Sequence, residues 1–142
     1  MKSDKPLVIA EIGVNHDGSF AKACKLLKSA KITGADYVKF QFFTPENLVV
    51  KNCPLADYQK DKEFKNQFEM LKKYQLGIKE MQKLKKIAGQ LKINFLISVF
   101  SKQDYIIAKK KLKISEIKIP SGEIENYELL NCLNYKKNKI FL

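Results

Sequence analysis

Short apolar segments alternate with helix-like segments along almost the whole chain. Strands are predicted at residues 7–10, 37–42, 93–99, 114–119 and 140–142. Between them, apolar residues recur with helical spacing at residues 20–33, 67–73, 78–91, 102–112 and 126–135. Strands that alternate with helices form parallel sheets, so an α/β fold is predicted. The short spacing of the last units favours a TIM (β/α)8 barrel, of which this chain would supply four strand–helix units and the start of strand 5.

The length of the chain limits how much of such a barrel it can form. Its 142 residues suffice for one domain with a real core, but a complete eight-stranded barrel needs roughly 250 residues. Residues 1–142 are therefore interpreted as the N-terminal portion of a barrel domain. A long irregular segment at residues 43–66 interrupts the alternation, and loops of this length in compact domains are usually functional or mobile.

The composition excludes several classes of protein. All 27 basic residues are lysine, against 15 acidic residues, which gives a formal net charge of +12. Nucleic-acid binding is not predicted, because recognition of bases and phosphates favours the planar fork of arginine. No apolar run is long enough to cross a membrane, and the start of the chain does not resemble a secretory signal. The three cysteines lack metal-ligand spacing and indicate reduced thiols, so a cytoplasmic protein is expected.

Polar side chains stand at the ends of the predicted strands, where parallel α/β folds place their chemistry. These residues are Glu11, Lys39, Gln41, Ser98, Lys118, Ser121 and Glu123. Two lysines that reach one cavity from different strands make an anion site, and a carboxylate beside them can carry protons. An unpaired buried lysine is costly, so Lys39 within a buried strand is hard to explain structurally. The pattern therefore predicts an enzyme site, and only half of one.

The segment after the first strand, residues 11–18, supplies further polar groups. Its glycines at positions 13 and 18 permit tight turns. Asn15 and His16 are predicted to support this first loop, and the purely structural alternative, that they cap the first helix and pin the loop, stays open. His16 is the only histidine and has no companion ligand, so no metal site is predicted there. Glu123 also has a structural alternative, as a loop carboxylate at the start of a helix.

Several segments together resemble the sialic acid synthase family, which makes N-acetylneuraminate, legionaminate and pseudaminate. The similar segments are AEIGVNHDG at 10–18, GADYVKFQ at 34–41, AxYQ at 56–59, QxEML at 67–71, FLxSxF at 95–100 and KIPSGEIEN at 118–126. Their order and spacing agree with the family, and the resemblance covers essentially the whole chain. It implies a TIM barrel that condenses phosphoenolpyruvate with an open-chain N-acetylated amino sugar such as N-acetylmannosamine and releases phosphate. A divalent metal, Mn²⁺ or Mg²⁺, is also implied.

The resemblance assigns a role to each candidate side chain. Lys39, Lys118 and Ser121 would contact phosphoenolpyruvate, and Ser98 would supply a hydroxyl on the same rim. Glu11 would be the catalytic acid/base, which helps the aldehyde oxygen gain a proton as the enolpyruvate carbon attacks. Two further residues would contact the amino sugar, namely Gln41 and Glu123.

The sequence also departs from the family. Residues 97–99 read Ile-Ser-Val where members usually have serine-threonine-proline, and Pro120 replaces a glycine and removes one backbone donor. The metal-binding histidines, the later phosphate contacts and a C-terminal capping domain would all lie beyond Leu142, so the metal ligands are not expected in this chain. The 142 residues alone are therefore expected to have little or no synthase activity.

Two alternatives remain open at this point. The chain could be a non-catalytic assembly module that pairs its open sheet edges with a separate C-terminal half or with itself as a homo-oligomer. It could also belong to another phosphoenolpyruvate-condensing synthase of keto sugar acids, although the EIGxNHxG and AxYQ segments argue against that. The identity of the amino sugar is not predicted.

Overall fold

A computed structural model describes residues 5–56 and 64–142 of the chain. Tyr58 and Gln59 of the AxYQ segment lie outside these ranges. Five strands form one parallel sheet: β1 (Ile9–Gly13), β2 (Tyr37–Phe42), β3 (Asn94–Val99), β4 (Glu116–Lys118) and β5 (Lys139–Phe141). The helices are α1 (Phe20–Ile32), α2 (Pro45–Leu48), α3 (Gln67–Tyr74), α4 (Ile78–Gln90), α5 (Lys102–Leu112) and α6 (Tyr127–Leu130).

The order of the strands in space identifies the type of α/β fold. Each strand pairs with the next one along the chain, in the order β1-β2-β3-β4-β5. A doubly wound sheet would reverse its order at a switch point, whereas the strands of a TIM barrel follow one another around the barrel. The predicted fold class is therefore confirmed, with four strand–helix units and a fifth strand.

The hydrophobic core lies between the helices and one face of the sheet. Val38, Phe40 and Phe42 of β2 are buried on this face, as the alternation within the strand predicts. Leu27 of α1 and Leu84 of α4 are completely buried in the same core. Because one face of β2 is committed to the core, its remaining side chains must point to the opposite face.

Local signals explain the limits of α1, which ends one residue before the predicted end. The Ser19 hydroxyl accepts a hydrogen bond from the backbone N–H of Lys22 and caps α1. Gly34 follows the helix with φ +83°, in the left-handed region that glycine adopts without strain. The limits of β2 and α5 are also confirmed, and α3, α4 and β3 differ from the predicted ranges by one residue at one end or both.

The first strand lies further along the chain than predicted. β1 begins at Ile9, where its pairing with β2 begins, and it continues to Gly13. Glu11 therefore lies within the strand instead of following it. Leu7 and Val8 precede the strand and are 57% and 50% exposed, so they are not part of a buried strand.

The last helix is shorter than predicted. α6 ends at Leu130, because the next N–H groups, those of Cys132 and Leu133, bond to carbonyls three residues back, as in tight turns. Asn134 then accepts a hydrogen bond from the N–H of Lys137 and stabilises a further turn. Leu129 and Leu133 are both buried, which explains the helical spacing in the sequence.

Two further differences concern short elements. The segment predicted as irregular contains the single-turn helix α2, which begins with Pro45 at a position where proline needs no N–H. β4 is limited to three residues, although a six-residue strand is predicted. Among the helices that the structure describes, none has the length and apolar character to span a membrane.

Candidate active site

Candidate residues from four strands lie side by side on the face of the sheet opposite the core. The register of β1 and β2 places Glu11 beside Lys39. Ser98 of β3 lies between Gln41 of β2 and Lys118 of β4. The parallel register therefore brings five of the predicted site residues to one region, as expected for the carboxyl ends of parallel strands.

Lys39 lies at the centre of this group and is paired. Its ammonium forms an ion pair with the carboxylate of Glu11. It also donates a hydrogen bond to the Ser98 hydroxyl, with an Nζ–Oγ distance of 3.3 Å. The side chain of Lys39 is 14% exposed, whereas that of Glu11 is 48% exposed. The two partners explain how a largely buried lysine is tolerated, and the exposed carboxylate remains accessible to a ligand.

Lys118 experiences the charges of this pair. Burial lowers the pKa of Lys118 below its usual value, the ammonium of Lys39 lowers it further, and the carboxylate of Glu11 offsets part of the effect. Two ammonium groups and one carboxylate therefore share the region, with a formal surplus of positive charge. A bound anion would remove the repulsion between the two lysines.

Gly13 gives the Glu11 and Gln41 side chains their space. It has φ +55° and follows an irregularity in the pairing of β1 with β2. A Cβ at this position would lie 3.2 Å from Oε1 of Glu11 and 3.6 Å from Nε2 of Gln41. These two polar groups therefore converge on the backbone of Gly13, at the end of the first strand.

Ser121 and Glu123 lie in a single 3-10 turn after β4, Ser121–Glu123. Ser121 is exposed, and the Glu123 carboxylate accepts a hydrogen bond of 2.7 Å from the Asn126 side chain. Asn126 in turn caps α6 by accepting from the N–H of Leu129. Within the described part of the chain, no hydrogen bond or ion pair joins Ser121 or Glu123 to Lys39. The structure thus brings together Glu11, Lys39, Gln41, Ser98 and Lys118. Ser121 and Glu123 lie apart from this group, in the turn after β4.

Asn15 and His16 lie in the turn between β1 and α1. The backbone N–H of Asn15 bonds to the carbonyl of Ile12, and Nδ1 of His16 accepts from the N–H of Gly18 at 3.1 Å. His16 is 1% exposed and its ring faces that of Phe40. Burial lowers the pKa of His16, although Asp17 and the Gly13 backbone partly offset this effect. The backbone hydrogen bond of Asn15 and the buried contacts of His16 are those expected of residues that support the first loop.

No ligand set for the expected divalent metal lies in the described ranges. Within residues 5–56 and 64–142, no three His, Cys, Asp or Glu side chains are placed to hold a metal ion together. His16 is buried and its Nδ1 accepts from the Gly18 N–H, so the hydrogen of the neutral ring lies on Nε2 and neither ring nitrogen offers a free lone pair to a metal. No residue is therefore assigned to the metal.

Asp104 is a buried carboxylate that the sequence patterns did not single out. This carboxylate is completely buried at the start of α5 and bonds to the Ser101 hydroxyl at 2.7 Å and the Thr44 hydroxyl at 2.6 Å. Its local contact could have been found, because serine followed three residues later by an acidic residue is a helix-start pattern. The contact with Thr44 could not, because it joins two loops that are far apart in the sequence.

Two legionaminic acid synthases are among the curated proteins to which this chain is similar. An N,N'-diacetyllegionaminic acid synthase from Legionella pneumophila is 41% identical over 134 residues, which are 92% of this chain and 37% of that protein. An enzyme of the same name from Campylobacter jejuni is 36% identical over 140 residues, which are 97% of this chain and 42% of that protein. The chain thus spans only 37% and 42% of the length of these relatives.

Solved structures agree with the fold. An N-acetylneuraminic acid synthetase from Leptospira borgpetersenii, solved in complex with citrate, matches with a TM-score of 0.70 and 27% identity, over 88% of this chain and 40% of that one. A spore coat polysaccharide biosynthesis protein from Bacillus subtilis matches with a TM-score of 0.71 and 28% identity, over 96% of this chain and 36% of that one. The profile of the NeuB family matches residues 26–142, and the chain therefore belongs to the NeuB family.

Proposed function

We propose that this chain supplies part of the active site of an enzyme that condenses phosphoenolpyruvate with an open-chain N-acetylated amino sugar and releases phosphate. The observation that carries the proposal is the contact of Lys39 with both Glu11 and Ser98, beside Lys118. Membership of the NeuB family and the names of the two synthases support the same reaction class.

The charges of the site suit phosphoenolpyruvate, which carries a phosphate and a carboxylate. Lys39 and Lys118 together outnumber the one carboxylate of Glu11, so an anion is attracted to the surplus positive charge. Binding would raise the pKa of Lys118, because the ligand opposes the repulsion from Lys39. The hydroxyl of Ser98 already accepts from Lys39, and its own hydrogen can be donated to a phosphate or carboxylate oxygen.

The proposed reaction forms one carbon–carbon bond and one carbon–oxygen bond to water, and it breaks the carbon–oxygen bond between the former enol carbon and phosphate. The methylene carbon of phosphoenolpyruvate attacks the aldehyde carbon of the sugar, and the aldehyde oxygen takes up a proton. Water then adds to the former enol carbon and phosphate leaves, so the product is a 2-keto acid. Glu11 is the group proposed to move the proton, since its carboxylate is accessible beside the lysines.

The remaining candidates would bind the substrates. Gln41 lies next to Glu11 at the backbone of Gly13, where it could hold a sugar hydroxyl or amide. Glu123 would need to leave its hydrogen bond with Asn126, or share it, to reach the amino sugar. Ser121 is exposed in the turn after β4, where a phosphate could approach it.

A titration with phosphoenolpyruvate followed by NMR tests the proposal. The ¹⁵N-labelled chain is titrated with phosphoenolpyruvate, and the backbone amide shifts of Glu11, Lys39, Ser98 and Lys118 are followed. We expect shifts that saturate and are concentrated at the carboxyl ends of β1 to β4. Shifts spread over the lysines of α4 and α5 would show non-specific anion binding and would contradict the proposal.

A further inference from the structure

Asp104 is a completely buried carboxylate to which four hydrogen-bond donors converge. One oxygen accepts from the Thr44 backbone N–H at 3.2 Å and from the Ser101 hydroxyl at 2.7 Å. The other accepts from the Thr44 hydroxyl at 2.6 Å and from the Asn47 side-chain amide at 3.4 Å. A buried carboxylate is costly unless such donors satisfy it, and an ionised one only accepts. Two of the three partner residues, Thr44 and Asn47, lie at the start of α2, whereas Asp104 lies in the first turn of α5.

These hydrogen bonds join the loops that follow two neighbouring strands. Thr44 lies two residues beyond the end of β2, which carries Lys39 and Gln41. Ser101 lies two residues beyond the end of β3, which carries Ser98. It caps α5, and its hydroxyl also accepts from the Asp104 N–H at 3.0 Å. The carboxylate therefore connects the ends of the two strands whose side chains meet in the Lys39–Ser98 hydrogen bond.

Two contacts of the preceding residue, Phe43, also hold the loop after β2. The Gln75 side chain donates to the Phe43 carbonyl at 3.2 Å, and the rings of Phe43 and Phe100 meet edge to face with their centres 6.0 Å apart. Both contacts involve Phe43, whereas Asp104 holds the backbone and the side chain of Thr44. Asp104 thus holds both the backbone and the side chain at the point where the chain leaves β2.

We propose that Asp104 is a positioning residue that clamps the loop after β2 to the loop after β3 and so keeps Lys39 in place against Ser98. Its effect on phosphoenolpyruvate binding rests on the proposed function, whereas its effect on the two loops does not. Small displacements of groups that orient a ligand are costly, so loss of the clamp should weaken binding even in a folded protein.

Asp36 provides a matched control at the opposite end of β2. Its carboxylate accepts from the Val8 N–H at 2.8 Å and also joins β2 to a neighbouring segment. Asp104→Ala and Asp36→Ala each remove one such carboxylate. We expect Asp104→Ala to speed hydrogen exchange at the Gln41 and Thr44 amides more than at amides far from the substitution. Asp36→Ala should not speed exchange at Gln41 and Thr44 more than at those remote amides.

Calorimetric titration with phosphoenolpyruvate completes the test. Asp104→Ala should raise the dissociation constant about tenfold, and Asp36→Ala should leave it within about twofold of the unaltered chain. If Asp104→Ala does not fold, Thr44→Val decides, because it removes only the hydroxyl donor and should shift exchange at Gln41 in the same direction.

The outcomes separate this inference from the proposed function. If the Gln41 and Thr44 amides exchange at the same rates in Asp104→Ala as in Asp36→Ala, the proposed role of Asp104 is wrong. If the Gln41 amide in Thr44→Val exchanges at the rate of the unaltered chain, the proposed role of Asp104 is also contradicted. Failure of the unaltered chain to bind phosphoenolpyruvate would contradict the proposed function instead, and the exchange measurements would still decide the role of Asp104.

Discussion

The ammonium of Lys39 on β2 pairs with the carboxylate of Glu11 directly beside it on β1, on the face of the sheet that the core helices do not cover. Because Glu11 is half exposed, water screens this pair, and it stabilises the fold by at most about 1 kcal/mol. A methionine at position 39 would fill the same space without the free-energy cost of removing a charge from water. The pair therefore fits a binding role better than a structural one.

Lys118→Met should increase the stability of the chain. It should also abolish the binding of phosphoenolpyruvate. Burial and the charge of Lys39 lower the pKa of Lys118, which means that its charged form is disfavoured in the folded state. At pH 7 the substitution removes this unfavourable charge and should raise the free energy of unfolding only slightly, by at most about 0.5 kcal/mol, because water screens a partly exposed ammonium. Urea denaturation without ligand checks this. A clear loss of stability would show that Lys118 is a structural residue.

His16 should make stability depend on pH near neutrality. Burial lowers its pKa below the usual 6.5, so between the two values the unfolded chain binds more protons than the folded one. The free energy of unfolding should therefore fall as the pH falls through 6.5 toward the pKa of the folded state. His16→Asn keeps an acceptor for Gly18 but does not titrate, and it should flatten this part of the profile. A profile identical to that of the unaltered chain would contradict the prediction.

Gly18 and Gly34 should respond differently to alanine. Both have positive φ, at +72° and +83°. A Cβ on Gly18 would overlap the backbone carbonyl of Lys73, whereas a Cβ on Gly34 would meet nothing within 4 Å. Gly18→Ala should cost about 2–3 kcal/mol and Gly34→Ala about 1 kcal/mol. Thermal unfolding of the two variants measures the difference, and equal costs would mean that the contact between the first loop and α3 is not rigid.

Turnover by these 142 residues alone should be very low. They span 37% and 42% of the two legionaminic acid synthases, so a large part of such an enzyme has no counterpart in them. The measurement is phosphate release from phosphoenolpyruvate with N-acetylmannosamine and Mn²⁺. Sustained release that depends on the sugar and is lost in Glu11→Gln would show that the residues grouped here are sufficient.

Patterns of short range account for the parts of the fold that the sequence predicts well. Ser19 and Gly34 mark the ends of α1 because capping depends on neighbouring residues. Alternation in β2 separates Lys39 and Gln41 from the core because strand geometry is regular. The five grouped site residues follow from one rule, that parallel strands end at a common edge.

Contacts of long range account for what the sequence does not predict. The start of β1 is determined by its pairing with β2, and Glu11 is therefore within the strand. The end of α6 is a short-range exception, because the N–H groups of Cys132 and Leu133 bond to carbonyls three residues back. Asp104 was missed because Thr44 and Asn47 approach it only in the folded chain.

The affinity of the chain for phosphoenolpyruvate, measured by calorimetry with and without Lys39→Met, tests the central claim most directly. Lys85→Met is the matched control, since Lys85 is another partly buried lysine, but its ammonium donates to the carbonyls of Leu112 and Lys113 at the end of α5. We predict binding that Lys39→Met weakens at least about tenfold and that Lys85→Met leaves nearly unchanged. No binding by the unaltered chain, or equal binding by Lys39→Met, would contradict the claim.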